Sequence, residues 1–503
     1  MKTRSVVIPG NLHEDLTRLL LRADHQEDLC FATYIPSSGA ERSTGILSHL
    51  IFPQTGDRHV HSNASFEPQY LQRAVSIATQ RGEGLAFMHS HLGPGWQGMS
   101  PDDIRAEEQI SPVASGATGY PLLGLTLGTD GAWSARFWVK DLLVKRKYNR
   151  AWCATVRVIS SALTITFNAQ LLTAKLDGER QMRTISAWGP KVQADLSRVT
   201  VGIVGLGSVG SIVAEILART GFSRFVLIDF DSVERKNLDR LTNVFEQDIG
   251  RAKVNAIADA IRRSASAPDV EIRTCEYSVC EKAGFEAALD CDALFSCVDR
   301  PWPRQALNFI AYAHLIPVID GGILVRTNKD NTRILGADWK AQVVGYSHAC
   351  LECLGQYSAA DASAEKAGYF DDPDYIRGLS KGSSPDVHEN VFAFASHLAS
   401  MEVLQLLSLV LAPGGISNVG QQTYHFVTGR LDADPLPRCK EHCYVKTQLG
   451  KGDKADVILY GDHLVARQAR EVRAAAATGR IPRLKGWGLV FHGFLSRLRS
   501  KQK

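Results

Sequence analysis

The sequence predicts an α/β protein in which an N-terminal α+β domain precedes a domain built on a largely parallel, doubly wound sheet. The chain has 503 residues, enough for two to four domains of roughly 150 residues each. Its 45% hydrophobic and 22% charged residues are typical of a globular protein. From about residue 197, short apolar segments alternate with helical stretches, and this alternation predicts a parallel sheet with helices on both faces.

The first 140 residues carry a mixed pattern of helices and strands. Apolar residues recur at helical spacing over 13–22 and 68–80. Apolar, β-branched segments predict strands over 28–34, 45–52 and 84–89. This order of elements favours an α+β domain.

A glycine-rich turn follows the first strand of the second domain, whose strands are predicted at 200–204, 225–229, 270–275, 293–297 and 316–320. Gly205, Gly207 and Gly210 form the pattern Gly-x-Gly-x-x-Gly before a helical run. Such glycines let the backbone approach a phosphate, and the helix N-terminus offers free N–H groups. Asp229, about 20 residues further on, is placed to bond a ribose hydroxyl. The glycine motif alone fits NAD, FAD and ATP sites equally.

A polar series after the second strand favours a triphosphate. It contains Asp231, Asn237, Arg240 and Lys253, and the cationic side chains suit phosphate groups. The order Asp-x-Asp, Asn-x-x-Arg and Ile-Gly-x-x-Lys resembles the ThiF/MoeB family, the adenylation domain shared with ubiquitin-activating enzymes. An NAD-dependent oxidoreductase, the alternative for a Rossmann-like domain, has no need of this series.

The ThiF resemblance implies ATP and Mg²⁺ as cofactors. It implies that Asp229 holds the ribose, that Asn237, Arg240 and Lys253 hold the phosphates, and that Asp299 binds Mg²⁺. Arg183 lies where the family carries an arginine that reaches across a dimer to the ATP, so the resemblance also implies a homodimer.

A second cluster of polar residues follows the strand at 84–89. His89 and His91 stand two residues apart and therefore point to the same side of the strand end. Ser100 begins an N-cap signal that places Asp103 in the first turn of a helix. Two histidines and one carboxylate suit Zn²⁺ with a fourth position left for water.

The pattern His-x-His, spacer, Ser-x-x-Asp resembles the JAMM motif of the JAB/MPN metalloproteases, which have a cytidine-deaminase-like fold. The resemblance implies cleavage after the C-terminal glycine of ubiquitin-like proteins. It implies that Glu27, rather than its neighbour Asp28, takes a proton from a zinc-activated water and that Ser100 stabilises the oxyanion. The spacer before Ser100 has eight residues here and seven in the family.

Two cysteine pairs lie near the end of the second domain. Cys350 and Cys353 form one pair, and Cys439 and Cys443 form the other. Four thiolates suit a closed, structural zinc site, and His442 could replace one cysteine. The alternative is four free cysteines. Between the pairs, residues 356–390 contain no cysteine, so a thioester would need a distant cysteine or a conjugating partner that carries a reactive one.

These patterns divide the chain into 1–140 (JAB/MPN-like), 141–195 (a connector and the first helix of the second domain), 196–445 (ThiF-like) and 446–503. The last segment is basic, with twelve Lys or Arg and four Asp or Glu from residue 447 onward, and helices are predicted at 462–476 and 487–499. Docking on the protein's own core, a membrane surface or an acidic partner all fit this tail.

The remaining composition favours a cytoplasmic protein. No signal-peptide pattern is visible at the N-terminus, and the apolar stretch 397–412 contains Glu402, which favours a buried helix over a transmembrane one. Nothing in the sequence matches a nucleic-acid-binding module.

The two resemblances together imply adenylation of the C-terminal glycine of a ubiquitin-like or sulfur-carrier protein, combined with cleavage after that glycine. One alternative is sulfur-carrier activation for cofactor biosynthesis without conjugation. Another is an N-terminal half that has lost activity and acts as a binding module.

Overall fold

The protein forms two large β-sheets, each covered by helices. The computed structural model describes residues 2–61, 63–328, 330, 332–371, 390–434, 438–456 and 460–478. The predicted α/β class is confirmed. The predicted helix at 487–499 lies outside the described residues.

The first sheet has nine strands in the order β11-β10-β1-β3-β2-β6-β7-β8-β9. Its strands are β1 (Thr3–Pro9), β2 (Leu29–Ser38), β3 (Arg42–Ile51), β6 (Gly84–Ser90), β7 (Leu122–Leu127), β8 (Trp133–Lys140), β9 (Tyr148–Trp152), β10 (Thr155–Ile159) and β11 (Leu163–Phe167). A separate hairpin consists of β4 (Arg58–His61) and β5 (Asn63–Phe66). The helices α1 (Gly10–Leu20), α2 (Pro68–Arg81) and α3 (Pro101–Thr118) belong to this half of the chain.

The segment 141–195 is more than the predicted connector. Its first part supplies β9, β10 and β11, which complete both edges of the first sheet. β10 pairs in parallel with β1, about 150 residues earlier in the chain. Local sequence patterns do not report such distant pairing, and the short strand Thr155–Ile159 interrupts its apolar residues with Arg157.

The second sheet combines parallel and antiparallel strands in the order β14-β13-β12-β15-β16-β17-β18-β19. The strands are β12 (Thr200–Val204), β13 (Arg224–Ile228), β14 (Glu271–Cys275), β15 (Ala293–Ser296), β16 (Val318–Thr327), β17 (Ile334–Val344), β18 (Gln421–His425) and β19 (Arg430–Asp434). The strands from β14 to β16 are parallel, as predicted. β17, β18 and β19 extend the sheet in antiparallel fashion, which the sequence did not reveal.

The central parallel strands β12, β13 and β15 are mostly apolar on both faces because helices cover both faces. In β13, Phe225 and Leu227 join one core, whereas Val226 and Ile228 join the other. The helices of this half are α4 (Met182–Trp188), α5 (Pro190–Arg198), α6 (Ser208–Thr220), α7 (Lys253–Ser264), α8 (Lys282–Ala288), α9 (Pro301–Ala313), α10 (Ala359–Lys366), α11 (Phe392–Leu411) and α12 (Leu464–Ala477). Short 3₁₀ turns occur at Arg235–Asn237, Glu246–Asp248, Tyr369–Asp371, Pro413–Gly415, Val445–Gln448 and Gly452–Lys454.

The most apolar helix, α11, packs against α6 and against β16 and β17. Among the described parts of the chain, it alone is long and apolar enough to cross a membrane. However, 56% of its apolar window is buried within the protein, and Glu402 at its centre is completely buried.

A buried charge cluster joins the two sheets. Arg42 on β3 donates to Asp292 over 2.6 Å, and it also donates to the carbonyl oxygen of Cys291. The Asp292 carboxylate accepts a further bond of 2.9 Å from the backbone N–H of Thr200, the first residue of β12. Burial opposes ionisation of Asp292, but Arg42 and Arg157 outweigh it and hold the pKa of Asp292 below its usual value. The two halves therefore share a charged, almost solvent-free contact.

We predict that Arg42→Ala destabilises the whole protein, because it leaves Asp292 buried beside one remaining arginine. Removing one partner of a buried ion pair costs about 3–5 kcal/mol. Urea unfolding followed by circular dichroism measures the loss. Arg18→Ala, which breaks an exposed pair with Asp15, is the control and should change the midpoint little. Equal midpoints for the two variants would contradict the prediction.

Candidate functional site

A cavity of about 980 Å³ lies at the carboxyl ends of the parallel strands in the second sheet, where open α/β sheets bind ligands. The predicted nucleotide-binding residues that line it are Gly205, Gly207, Asp229, Asp231, Asn237, Arg240, Lys253 and Asp299. The polar series that is spread over about 100 residues of sequence therefore converges in one place.

The three glycines of the turn have different structural roles. Gly205 has a φ of 86°, and a Cβ there would lie 2.4 Å from the carbonyl oxygen of Cys297. A Cβ on Gly210 would lie 2.0 Å from the carbonyl oxygen of Gly205. Gly207, the N-cap of α6, has open space where its Cβ would be. Gly205 and Gly210 thus allow close packing of the turn, and Gly207 leaves room for a ligand.

Two aspartates and a lysine form the charged floor of the cavity. Asp229 is buried and accepts backbone N–H bonds from Leu206 (2.6 Å) and Asp231 (2.7 Å). Lys253 donates to Asp231 over 2.8 Å from the first turn of α7. Burial raises the pKa of Asp229. Burial alone would lower the pKa of Lys253, but Asp229 and Asp231 outweigh it and raise that pKa, so the ammonium group remains charged.

Asn237, Arg240 and Asp299 lie around this floor. The Asn237 side chain is buried, and its Oδ1 accepts a 3.0 Å bond from the backbone N–H of Glu234. Arg240 donates over 2.6 Å to the carbonyl oxygen of Lys236. Asp299 is exposed at the cavity wall. A buried amide, a fixed guanidinium and an open carboxylate suit phosphate groups and a divalent cation.

Sequence reasoning missed several residues of the same cavity. Arg304 lines it and donates to the carbonyl oxygens of Gly321 (2.9 Å) and Gln356 (3.1 Å). The signal for Arg304 is Pro301, which starts a helix just after Asp299 and brings the arginine of its first turn to the cavity.

Two further lining residues come from distant segments. Glu402 of α11 lies at the cavity, and burial raises its pKa well above the usual value. His463 belongs to the predicted tail. No local motif marks either residue.

The predicted histidines and aspartate of the N-terminal half also come together. Asp103 lies 3.4 Å from His89 and 3.2 Å from His91, measured from carboxylate oxygen to Nε2, and the two Nε2 atoms are 3.2 Å apart. Tetrahedral nitrogen ligands about 2.0–2.1 Å from one zinc ion lie roughly 3.3 Å apart. The side-chain geometry therefore fits a zinc ion.

The structure separates the two acids that precede β2. Asp28 is buried and pairs with Arg58 over 2.9 Å and with Arg22 over 3.3 Å. Glu27 makes neither pair. Burial raises the pKa of Glu27, while His91 opposes that rise electrostatically. Asp28 therefore has a structural role, and Glu27 is the acid that interacts electrostatically with His91 and Asp103.

Ser100 caps helix α3 as predicted. Its Oγ accepts a 3.1 Å bond from the backbone N–H of Asp103, and Asp103 accepts a 2.7 Å bond from the backbone N–H of Ser100. This capping box fixes the carboxylate beside the histidines. The eight-residue spacer forms a tight turn in which the Gln97 amide donates to the carbonyl oxygens of Gly93 and Pro94.

The four predicted cysteines form a second cluster that fits zinc. Their sulfur atoms all lie within 4.8 Å of one another, and Cys350 and Cys443 are 3.6 Å apart. Sulfur ligands about 2.3 Å from a tetrahedral zinc ion lie roughly 3.8 Å apart. Backbone N–H groups of Cys353 and Lys440 donate to the sulfurs of Cys350 and Cys353, as expected for thiolates. The 3.4 Å contact between Tyr312 and Cys439 completes the surroundings.

Arg183 does not line the cavity of its own chain. It lies exposed on α4. Its predicted contact with the ATP of a second copy therefore stays a prediction.

The fold and the cavity are those of an α/β protein with a Rossmann-like nucleotide-binding site. The model of the ThiF family matches residues 179–443, more than half of the chain, and the chain belongs to this family. The glycine turn, Lys253 and both cysteine pairs lie within the matched range.

Curated relatives match a shorter region. Ubiquitin-like modifier-activating enzyme 5 of Drosophila willistoni is 29% identical over 163 residues, which cover 29% of this chain and 39% of the relative. The enzyme of the same name from Branchiostoma floridae is 37% identical over 121 residues, covering 22% and 29%. The matched region spans less than two fifths of the length of these relatives.

Solved structures resemble the chain more weakly. E. coli MccB with MccA-N7isoASN is 18% identical with a TM-score of 0.40, over 54% of this chain and 77% of that one. E. coli tRNA N6-threonylcarbamoyladenosine dehydratase is 27% identical with a TM-score of 0.27, over 30% of this chain and 64% of that one.

We predict two zinc ions per chain, because both side-chain clusters fit the ion. Elemental analysis by plasma mass spectrometry should show a fall to one in His89→Ala/His91→Ala. The matched control is His59→Ala/His61→Ala, which removes an exposed pair of histidines with the same spacing from β4. One zinc in the wild type, unchanged in the His89→Ala/His91→Ala variant, would contradict the N-terminal metal site. The N-terminal half would then be better described as a binding module.

Proposed function

We propose that the chain uses Mg·ATP to adenylate the C-terminal glycine of a ubiquitin-like or sulfur-carrier protein and releases pyrophosphate. The observation that carries the proposal is the convergence of Asp229, Asn237, Arg240 and Lys253 on one cavity of a ThiF-family domain. Similarity to ubiquitin-like modifier-activating enzyme 5 supports this substrate class.

The cavity residues suit the reaction. A carboxylate oxygen of the terminal glycine attacks the α-phosphorus of ATP, and the bond to the leaving pyrophosphate breaks. Lys253 and Arg240 neutralise the charge that develops on the phosphate oxygens. Lys253 pairs with Asp231, so binding of phosphate exchanges one anionic partner for another without exposing a buried ammonium. Mg²⁺ near Asp299 would offset the charge of the leaving pyrophosphate.

Adenylation alone does not require a cysteine of this chain. Residues 356–390 contain none, and Cys353 belongs to the four-cysteine cluster. We therefore infer that the acyl group passes to a thiol on a partner protein. The adenylation step is common to conjugation, in which a partner thiol takes the acyl group and AMP leaves, and to sulfur transfer, in which a separate sulfur donor must supply the sulfur. The exposed position of Arg183 is compatible with a homodimer in which this arginine reaches the ATP of the second copy. The expected location of the protein is the cytoplasm.

We further propose that the N-terminal half is a JAMM-type zinc peptidase or isopeptidase that cleaves after the same glycine. Zinc held by His89, His91 and Asp103 would activate a water molecule as the nucleophile. Glu27, whose pKa is raised by burial, takes a proton from the water and returns it to the leaving amine. Ser100 uses its oxygen as an acceptor in the helix cap, so its hydroxyl hydrogen remains available to the oxyanion.

We predict that Lys253→Ala and Asp299→Ala abolish ATP–pyrophosphate exchange stimulated by a modifier that ends in glycine. Each substitution removes charge that the triphosphate or its magnesium requires. Both variants should retain peptidase activity. Lys282→Ala removes an exposed lysine of the same half, which pairs loosely with Glu286, and should exchange normally. Normal exchange in both site variants would falsify the assignment of the ATP site.

We predict the opposite pattern for Glu27→Gln and His89→Ala, which should lose cleavage of a modifier fusion while exchange persists. Loss of a general acid–base residue typically costs about 10²–10⁴-fold in rate. Asp102→Asn is the matched control, since Asp102 neighbours Asp103 but pairs with the exposed Arg105. Cleavage by Glu27→Gln at the rate of the wild type would rule out Glu27 as the base.

A further inference from the structure

The segment 460–478 follows the ThiF match and returns to the nucleotide cavity. The match ends at residue 443, yet His463 and Val465 line the same cavity as Asp229 and Lys253. Helix α12 begins at this point and runs along the domain surface. Part of the cavity wall is therefore supplied by chain outside the family domain.

His463 joins two loops of the cavity. Its ring stacks on Trp302 at 5.2 Å between centroids, with an angle of 8° between the planes. The same ring lies 5.2 Å from Phe230. Phe230 stands between Asp229 and Asp231, and Trp302 follows Asp299 closely in sequence. One buried ring thus bridges the loop of the proposed ribose site and the loop of the proposed magnesium site.

The contacts of His463 define its protonation. Its Nδ1 accepts a 3.2 Å bond from the backbone N–H of Ala466 and caps α12. Burial lowers the pKa of His463, so the ring is neutral and carries its proton on Nε2. The cap fixes the start of the helix and the orientation of the stacked ring together.

Arg473, nearly three turns further along α12, contacts the loop 229–232 directly. It donates to the carbonyl oxygen of Phe230 over 2.6 Å and to the hydroxyl of Ser232 over 3.1 Å. Its other terminal nitrogen pairs with Glu276 over 3.1 Å. The guanidinium therefore grips the residues on both sides of Asp231, whose carboxylate holds Lys253.

A second arginine docks the same face of the helix. Arg470 makes a bidentate contact with Glu281, with bonds of 2.8 and 2.6 Å. Its guanidinium also lies 4.0 Å from the ring centroid of Tyr277, and Tyr277 lines the cavity. Bidentate pairing and cation–π contact are the strong forms of arginine recognition. Arg467 instead pairs with Asp462 in an exposed contact next to the helix start.

We propose that α12 is a clamp on the nucleotide site, in which Arg473 and His463 are positioning residues for the nucleoside end of ATP. This inference rests on the proposed ATP-dependent function. Docking of α12 orders the loop 229–232, and a nucleotide bound to that loop favours the docked helix. By linkage, ATP binding and helix docking strengthen each other by the same factor. Among the described residues, Arg473 contacts the loop 229–232 directly and reaches the phosphate-binding Lys253 only through Asp231. We therefore expect the clamp to act much more strongly on the binding of ATP than on that of inorganic polyphosphate.

The test compares two ligands on the full chain by isothermal titration calorimetry. The ligands are Mg·ATP and magnesium tripolyphosphate, and the variants are Arg473→Ala, Arg473→Lys and the control Arg467→Ala. We expect Arg473→Ala to raise the Kd for ATP about tenfold, within the usual range of coupling. The Kd for tripolyphosphate should stay within about twofold, as should both constants for the control. Arg473→Lys should recover part of the loss, because lysine can donate to the Phe230 carbonyl but cannot reach Glu276 at the same time with a second nitrogen.

A reciprocal measurement checks the linkage. Hydrogen exchange of the α12 amides should slow when ATP is added to the wild type and should respond less in Arg473→Ala. Arg470→Ala gives a second reading if Arg473→Ala folds poorly, since it loosens the helix and leaves the contacts to Phe230 and Ser232 in place.

The outcomes separate the clamp from the function on which it rests. A wild type that binds ATP, with Arg473→Ala and Arg470→Ala indistinguishable from it in Kd and in exchange, overturns the clamp alone. Equal losses for ATP and tripolyphosphate also overturn it, because they indicate general damage to the domain. A wild type that binds no ATP overturns the proposed adenylation and the clamp with it.

Discussion

The stability of both halves of the protein depends on the contacts made by the buried carboxylate of Asp292. It binds Arg42 from the first sheet and the backbone N–H of Thr200, where the nucleotide-binding strand β12 begins. Arg157, from the added strand β10, lies 3.8 Å away, and burial beside Arg42 lowers its pKa to about 9. Removing one of these partners leaves the buried carboxylate undercompensated and strongly destabilises the fold. These bonds fix the position of the start of β12 relative to the N-terminal sheet. They therefore also help to position the glycine turn at the other end of that strand.

Much of the candidate site could be predicted because its chemistry is local. The glycine turn and the residues from Asp229 to Lys253 lie within about 50 residues. Asp229 follows a strand end, Lys253 starts a helix, and Asn237 and Arg240 lie in the loop between them. His89 and His91 follow from strand alternation, and Asp103 follows from the N-cap at Ser100. The choice between Glu27 and Asp28 was harder, since adjacent residues differ only in the side to which they point. Asp28 pairs with Arg58, whereas the role of Glu27 as the base stays a prediction.

The elements that sequence patterns missed depend on distant partners. Strands β9 to β11 gain their stability from β8 and β1, so their own short and partly polar sequences carry little signal. The same holds for β17 to β19, which extend a sheet that the local pattern describes as parallel. Arg470 and Arg473 look like ordinary surface charges of a basic tail. Only the fold shows that Glu276 and Glu281 lie opposite them.

The paired cysteines have a topological consequence. Cys350 and Cys353 precede α11 and β18, whereas Cys439 and Cys443 follow them, so the cluster closes a loop of nearly 90 residues. That loop carries Glu402 and part of the cavity wall. Closing a long loop removes chain entropy from the unfolded ensemble, and a metal that closes it couples its own binding to folding. A zinc ion bound by the four thiolates would thus tie the shape of the cavity to the metal supply and to the reduced state of these thiols, neither of which takes part in the proposed adenylation.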